Sequence, residues 1–282
     1  SLMSKFKELK VSILGEIIFD EYCFGNVVGK AGKEPHLVLK EKITECYAGG
    51  SAAVARHLSS FVKKINIISF IGGEKYYKNI LKNSLSSNVT LKTFKPFNNF
   101  SSIIKKRFID ESSNYKLFGS YIIPDKNLKI HESNVINLLK EIRNKSDLLI
   151  VTDYGHGLIN QKISDNINRK FNFISLNAQL NATNVGTHSI KKYRNVDLII
   201  INEAELRNEL RNDNTKIEIL AKEFFKTKIC KNLVITRGKE GAMLVDKRDI
   251  YHCPAFSNKS VDKIGAGDAM LSILFLCLKK NF

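Results

Sequence analysis

The chain has no tryptophan, no CxxC pair and no apolar run long enough to cross a bilayer. Its five cysteines, Cys23, Cys46, Cys230, Cys253 and Cys277, are odd in number and far apart, which argues against a zinc site or a disulfide framework and for a reducing cytoplasm. The longest apolar stretch surrounds Ser272 and falls well short of the roughly 20 residues a spanning helix needs. Ser1 to Lys10 is polar and basic, unlike a signal peptide, and Ser1-Leu2 before Met3 reads as a cloning remnant. Acidic residues are also scarce: 45 Lys and Arg against 28 Asp and Glu leave a net charge of +17. The lysines are spread along the chain without a long basic run, so the excess reads as compositional and speaks against a nucleic-acid surface. Anionic small-molecule substrates fit the charge. No internal repeat or disordered linker divides the 282 residues, which read as one domain with a lid.

What the sequence does hold is a succession of short apolar strands with small or acidic residues at their ends. Lys10 to Leu14 ends at Gly15 and leads into GEIIFDEY, where Asp20 follows a central strand, the place where open α/β sheets bind ligands. The segment GNVVGKA is not a phosphate loop, because only three residues separate Gly25 from Gly29 and Ala31 replaces the magnesium-binding hydroxyl. Gly49, Gly50 and Ser51 open a helix with apolar positions Ala52, Val54, Ala55 and Leu58. Such glycines either let backbone donors face a ligand or allow the helix start to pack closely. Ile65 to Ile71 is a strand. Val89–Phe94, Ser101–Ile109 and Tyr115–Ile123 follow as strands with little helix between them, and are expected to form an antiparallel patch with Phe19–Phe24 and His36–Ile43.

After Pro124 the alternation is regular, with helices near Glu132–Arg143, Gln161–Arg169 and His188–Tyr193 and strands at Leu148–Thr152, Phe173–Leu176 and Leu198–Ile201. This is the signature of a parallel sheet with crossover helices. Asp153, in TDYGHG, lies at one strand's carboxyl end; Asn202 and Glu205 share one side of a starting helix. Asn232–Thr236 precedes the turn TRGKEG and a hairpin. Near the C-terminus, Gly265, Ala266 and Gly267 lead into Asp268 and an apolar helix. Two readings are open there: an anion-binding turn whose carboxylate sits at the helix's positive end, or an ordinary glycine turn with a capping aspartate.

Taken together, Gly15 with Asp20, Gly49-Gly50, Asn202 with Glu205, Thr236 with Gly238 and Gly241, and Gly265-Ala266-Gly267-Asp268 resemble, in order, the motifs of the ribokinase or PfkB family of carbohydrate kinases. GEIIFDEY, AGGSAAVA and TDYGHG are most similar to its heptose-phosphate kinase branch. In some members of that branch a nucleotidyltransferase domain is fused to the kinase, so the chain is expected to be a fragment of something longer. The resemblance implies a three-layer α/β sandwich with a mostly parallel central sheet and a small antiparallel lid, its strands drawn from about residues 16–46 and 95–123.

The resemblance further implies ATP-dependent phosphorylation of a sugar or sugar-phosphate hydroxyl, with magnesium. Asp268 would take the hydroxyl proton beside the anion hole of Gly265, Ala266 and Gly267. Asp20, Gly49, Gly50 and Ser51 would hold the sugar, and Thr236, Gly238, Gly241 and Asp153 the nucleotide. Asn202 and Glu205 would organise magnesium through water. A homodimer joined through the lid strands is expected, without membrane contact. The alternative is a sugar- or nucleotide-binding protein of the same fold without catalysis. A dinucleotide-binding fingerprint is excluded, because Met270 stands at its third glycine position.

Overall fold

The computed structural model describes residues 2–94, 100–124, 132–168, 171–181, 183, 184, 186, 188–255 and 266–279, with the backbone alone for residues 2, 3, 266 and 268. In chain order the elements are α1 (Leu2–Phe6), β1 (Lys10–Gly15), β2 (Ile17–Lys30), β3 (Leu37–Gly50), α2 (Ser51–Leu58), β4 (Lys64–Phe70), α3 (Lys75–Ser84), β5 (Val89–Phe94), β6 (Ile103–Asp110) and β7 (Tyr115–Ile122). There follow α4 (Glu132–Arg143), β8 (Leu148–Asp153), α5 (Gln161–Asn168), β9 (Ile174–Ala178), β10 (Val196–Asn202), α6 (Glu203–Leu210), α7 (Ile217–Lys226), β11 (Cys230–Thr236), β12 (Ala242–Val245), β13 (Ile250–Cys253) and α8 (Ala266–Lys279).

β1 is buried on both faces from Val11 to Gly15, Ser12 included, as a central parallel strand must be. It pairs in parallel with β4 and β8, inside a nine-stranded sheet of order β13-β12-β11-β10-β9-β8-β1-β4-β5. Only β12, near one edge, runs antiparallel to its two neighbours, β11 and β13. Alternate side chains divide between two cores. Leu14, Ile68, Leu149 and Ile199 meet α4 to α7 on one face; Ile13, Ile67, Ile150 and Ile200 meet α1, α2, α3 and α8 on the other. This is the expected three-layer sandwich. Leu271, Phe275 and Leu276 form the buried stripe of α8, which packs on α2.

A separate four-stranded sheet, of order β3-β2-β6-β7, rises from the end of β1 with only Glu16 between β1 and β2. It joins two antiparallel hairpins, β2–β3 and β6–β7, through a parallel β2–β6 pairing. One expectation is corrected: β5 belongs to the main sheet, parallel to β4, and not to the lid. The cause is burial on both faces, since Val89 and Leu91 pack into one core and Phe94 into the other, edge-on to Phe70 at 6.3 Å.

The five cysteines are free. Among the described residues, no helix is long and apolar enough to cross a membrane.

Candidate active site

The carboxyl ends of β1, β8, β9, β10 and β11 share one edge of the sheet, and the lid springs from that same edge. A crevice there is where an open parallel sheet collects loops and helix starts.

At the lid's base, Asp20 on β2 receives the Arg107 guanidinium from β6, Nη1 to Oδ1 at 2.7 Å. Arg107 in turn lies over the Tyr22 ring, 5.2 Å from its centroid. Gly49, on β3, makes the aspartate's position possible: a Cβ on it would lie 2.5 Å from Asp20 Oδ2. Lys105 is in register with Asp20 across the β2–β6 ladder and on the same face as Arg107. Its Nζ stands 5.5 Å from the Tyr121 centroid, and among the described residues it has no ion-pair partner. Burial lowers its pKa against the pull of Asp20.

Gly50 caps α2 with φ 61°, and a Cβ there would lie 2.4 Å from the carbonyl oxygen of Glu16. Ser51 is fully buried, its hydroxyl donating to the carbonyls of Gly15 at 2.9 Å and Glu16 at 2.8 Å. The Ser51 hydroxyl thus ties the start of α2 to the end of β1.

Asp153 is also engaged within the fold. It is buried, with Lys192 Nζ and the Tyr193 hydroxyl each 2.6 Å from Oδ2. Burial raises its carboxyl, but the Lys192 ammonium, with His188 and Tyr193, outweighs that and holds it below its ordinary value. It lies three strands from β11, about 14 Å at the usual spacing, and does not join the residues expected along the nucleotide.

Those residues do come together. Thr236 ends β11 in register with Asn202 at the end of β10. Gly238 and Gly241 adopt φ 56° and 87° in the turn between β11 and β12. A Cβ on Gly241 would strike the Cys253 carbonyl at 2.0 Å, whereas Gly238 faces open space. Arg237, just before Gly238, pairs with Glu240 and, at 3.0 Å, with Glu203 in the first turn of α6.

Asn202 and Glu205 form a capping box at the start of α6. Asn202 Oδ1 accepts the Glu205 N–H at 2.8 Å and Glu205 Oε2 accepts the Asn202 N–H at 2.7 Å. Glu205 Oε1 accepts the Leu180 N–H at 3.2 Å. Burial pushes this carboxyl up to about 7, since two backbone donors only partly offset the loss of water. Among the described residues Glu205 has no cationic partner, and none of them form a cluster of three His, Cys, Asp or Glu able to ligate a metal directly; Asn202 and Glu205 are the residues that would hold a hydrated divalent ion.

The raised pKa has a consequence for stability. Between about 4.5 and about 7 the folded protein keeps a proton on Glu205 that the unfolded chain releases, so this group's contribution to stability falls as pH rises through that window. Denaturant midpoints at pH 5 and pH 8 are expected to differ less in Glu205→Gln than in the wild type. An equal difference in both would contradict this.

Gly265 and the Asp268 side chain lie outside the described residues. The backbone of Ala266, Gly267 and Asp268 forms the first turn of α8. Sequence reading assigned no role to Glu16, Lys105, Arg107 or Lys192. The alternation of IIKKRFID places Lys105 and Arg107 on one face of a strand and was the available signal for that pair.

The pfkB family carbohydrate kinase profile matches residues 165–281. The bifunctional protein HldE of Haemophilus influenzae (strain PittEE) is 27% identical over 284 residues, covering 98% of this chain and 56% of its own length. The chain is similar to the pfkB family carbohydrate kinases over residues 165–281 and to HldE over nearly its whole length. It thus spans little more than half of the curated relatives it matches. Escherichia coli phosphofructokinase-2 in complex with fructose-6-phosphate superposes with a TM-score of 0.72 at 17% identity, over 97% of this chain and 88% of that one. Arabidopsis thaliana ribokinase complexed with ribose and ATP gives 0.65 at 15%, over 97% and 86%. At these identities the likeness to the solved structures is one of fold.

Proposed function

We propose that this domain transfers the γ-phosphoryl group of ATP to a hydroxyl of a sugar phosphate, with a heptose-like sugar as acceptor. Magnesium-bound ATP supplies the electrophilic phosphorus and screens its charge when bound. Thr236, Gly238 and Gly241 lie along the nucleotide, the open space at Gly238 giving it room, and Asn202 with Glu205 holds the ion's water shell. Asp20 accepts hydrogen bonds from sugar hydroxyls in the space that Gly49 leaves. Asp268 takes the proton of the attacking hydroxyl, while N–H groups of Gly265 to Asp268 stabilise negative charge where it develops. The lid excludes water, which would otherwise compete as acceptor.

The observation that carries the choice of a sugar phosphate over a neutral sugar is Lys105, a desolvated ammonium beside Asp20 with no ion pair among the described residues. Arg107 spends one of its nitrogens on Asp20 and keeps others for an anion. Lys105→Met is expected to lower kcat/KM for the phosphorylated acceptor by about 10- to 100-fold, the worth of one charged hydrogen bond, and to leave a neutral sugar's unchanged. Equal losses with both acceptors would remove the phosphate from the site.

We further propose that two copies pair through their lids. Leu37, Ile43, Tyr115 and Phe118 are exposed on the lid strands, an apolar surface of the kind that marks association. Sedimentation of the wild type should give a dimer that Phe118→Asp weakens; a wild-type monomer at micromolar concentration would contradict it.

A further inference from the structure

The loop TDYGHG, noted in the sequence for its aspartate, is built to present its histidine. His156 stands between Gly155 at φ 69° and Gly157 at φ 98°, left-handed positions that favour glycine. A Cβ on Gly155 would also lie 2.6 Å from Asn184 Nδ2 and 3.1 Å from the His188 ring. The N–H groups of Tyr154, His156 and Leu158 donate to the Glu16 carboxylate at 3.0, 3.2 and 3.4 Å, and the Gly155 N–H to Asp153 Oδ1 at 3.0 Å. Two acids at the ends of β1 and β8 thus clamp the loop from both sides.

The histidine held in this way has unused capacity. Its side chain is buried, 5% exposed, and Nε2 has no hydrogen-bond partner among the described residues. Leaving such an atom unsatisfied is unfavourable, and a bound polar group would offset the cost. Burial, then the charge of Lys105, lowers its pKa to about 4, with Asp153 and His188 as smaller and opposed influences. The ring is therefore neutral near pH 7 and Nε2 can make one hydrogen bond to a hydroxyl. The loop hangs on Glu16, the one residue between β1 and the lid strand β2, so His156 lies at the base of the lid, on the sugar side of the crevice.

We infer that His156 is a specificity-determining contact whose Nε2 hydrogen-bonds a hydroxyl of the bound sugar, with Glu16 as the positioning residue that fixes its loop. The inference rests on the sugar-kinase reading above. A buried group built to bond a hydroxyl discriminates against acceptors that lack or invert it more sharply than an apolar wall does.

Steady-state kinetics with fructose 6-phosphate, mannose 6-phosphate and a heptose 7-phosphate test it. With the best acceptor, His156→Ala should raise the acceptor KM about tenfold, the worth of one hydrogen bond, while kcat and the ATP KM stay within about threefold. His156→Gln, which keeps a polar terminus, should recover most of that loss and serves as the test should the alanine variant fail to fold. An unchanged acceptor KM in both variants overturns the inference and leaves the kinase reading intact. So does a parallel rise in acceptor and ATP KM with a lower melting temperature, which marks a structural role. Absence of wild-type turnover with every acceptor overturns the kinase reading and the inference with it.

Discussion

Asp268→Asn is expected to lower kcat by about 10³-fold while leaving the melting temperature and ATP affinity close to those of the wild type. A general base contributes roughly 10²- to 10⁴-fold, and the amide is nearly the same size as the carboxylate but cannot take a proton. Position supports the assignment. Residue 268 belongs to the first turn of α8, where the helix's partial positive charge favours an ionised carboxylate and where backbone N–H groups have no intrahelical acceptor. The helix itself is anchored by Leu271, Phe275 and Leu276 against the core and α2, so a change at its start should not unfold it. ADP release measured against acceptor concentration decides the matter: a variant retaining more than about a tenth of wild-type kcat would remove Asp268 from the chemistry.

The second large effect is on stability. Lys192→Met is expected to destabilise the fold by about 3–5 kcal/mol, because it leaves Asp153 charged, buried and without its ammonium partner. The Tyr193 hydroxyl and the Gly155 N–H would remain, but neither carries charge. For a chain of this size that corresponds to a drop in melting temperature of about 6–15 °C. The same substitution would release Ile159, whose carbonyl now accepts a Lys192 hydrogen bond at 2.7 Å. A variant as stable as the wild type would show that Asp153 is not held as a structural ion and would return it to candidacy as a ligand residue.

Asp153 and Ser51 show where sequence reasoning reached its limit. Both stand at the right edge of the sheet, which alternation of strands and helices made legible. Both have partners within the fold that are invisible locally. Lys192 and Tyr193 come from a turn 39 and 40 residues away, and the carbonyls that Ser51 satisfies, of Glu16 and of Gly15 at the end of β1, lie 35 and 36 residues before it. Glu16 presents the same difficulty in reverse: it is inconspicuous in GEIIFDEY, yet it organises a loop 138 to 142 residues further on.

The left-handed turn at Gly238 is a local requirement, whereas the Cβ that Gly49 lacks would meet Asp20 on the neighbouring strand β2, a contact that only the fold reveals. The β5 misplacement has an equally plain cause. Val89, Leu91 and Phe94 give a short apolar strand that fits either sheet, and only the two cores flanking it decide between them.

The central claim is phosphoryl transfer from ATP to a sugar that already carries a phosphate. Phosphorus NMR of the wild-type protein incubated with ATP, magnesium and a heptose 7-phosphate tests it most directly. The account predicts a new phosphate ester on the sugar and one ADP per product, at a rate well above that with the unphosphorylated heptose. ADP formed with inorganic phosphate alone, or ester formed only on the neutral sugar, would contradict it.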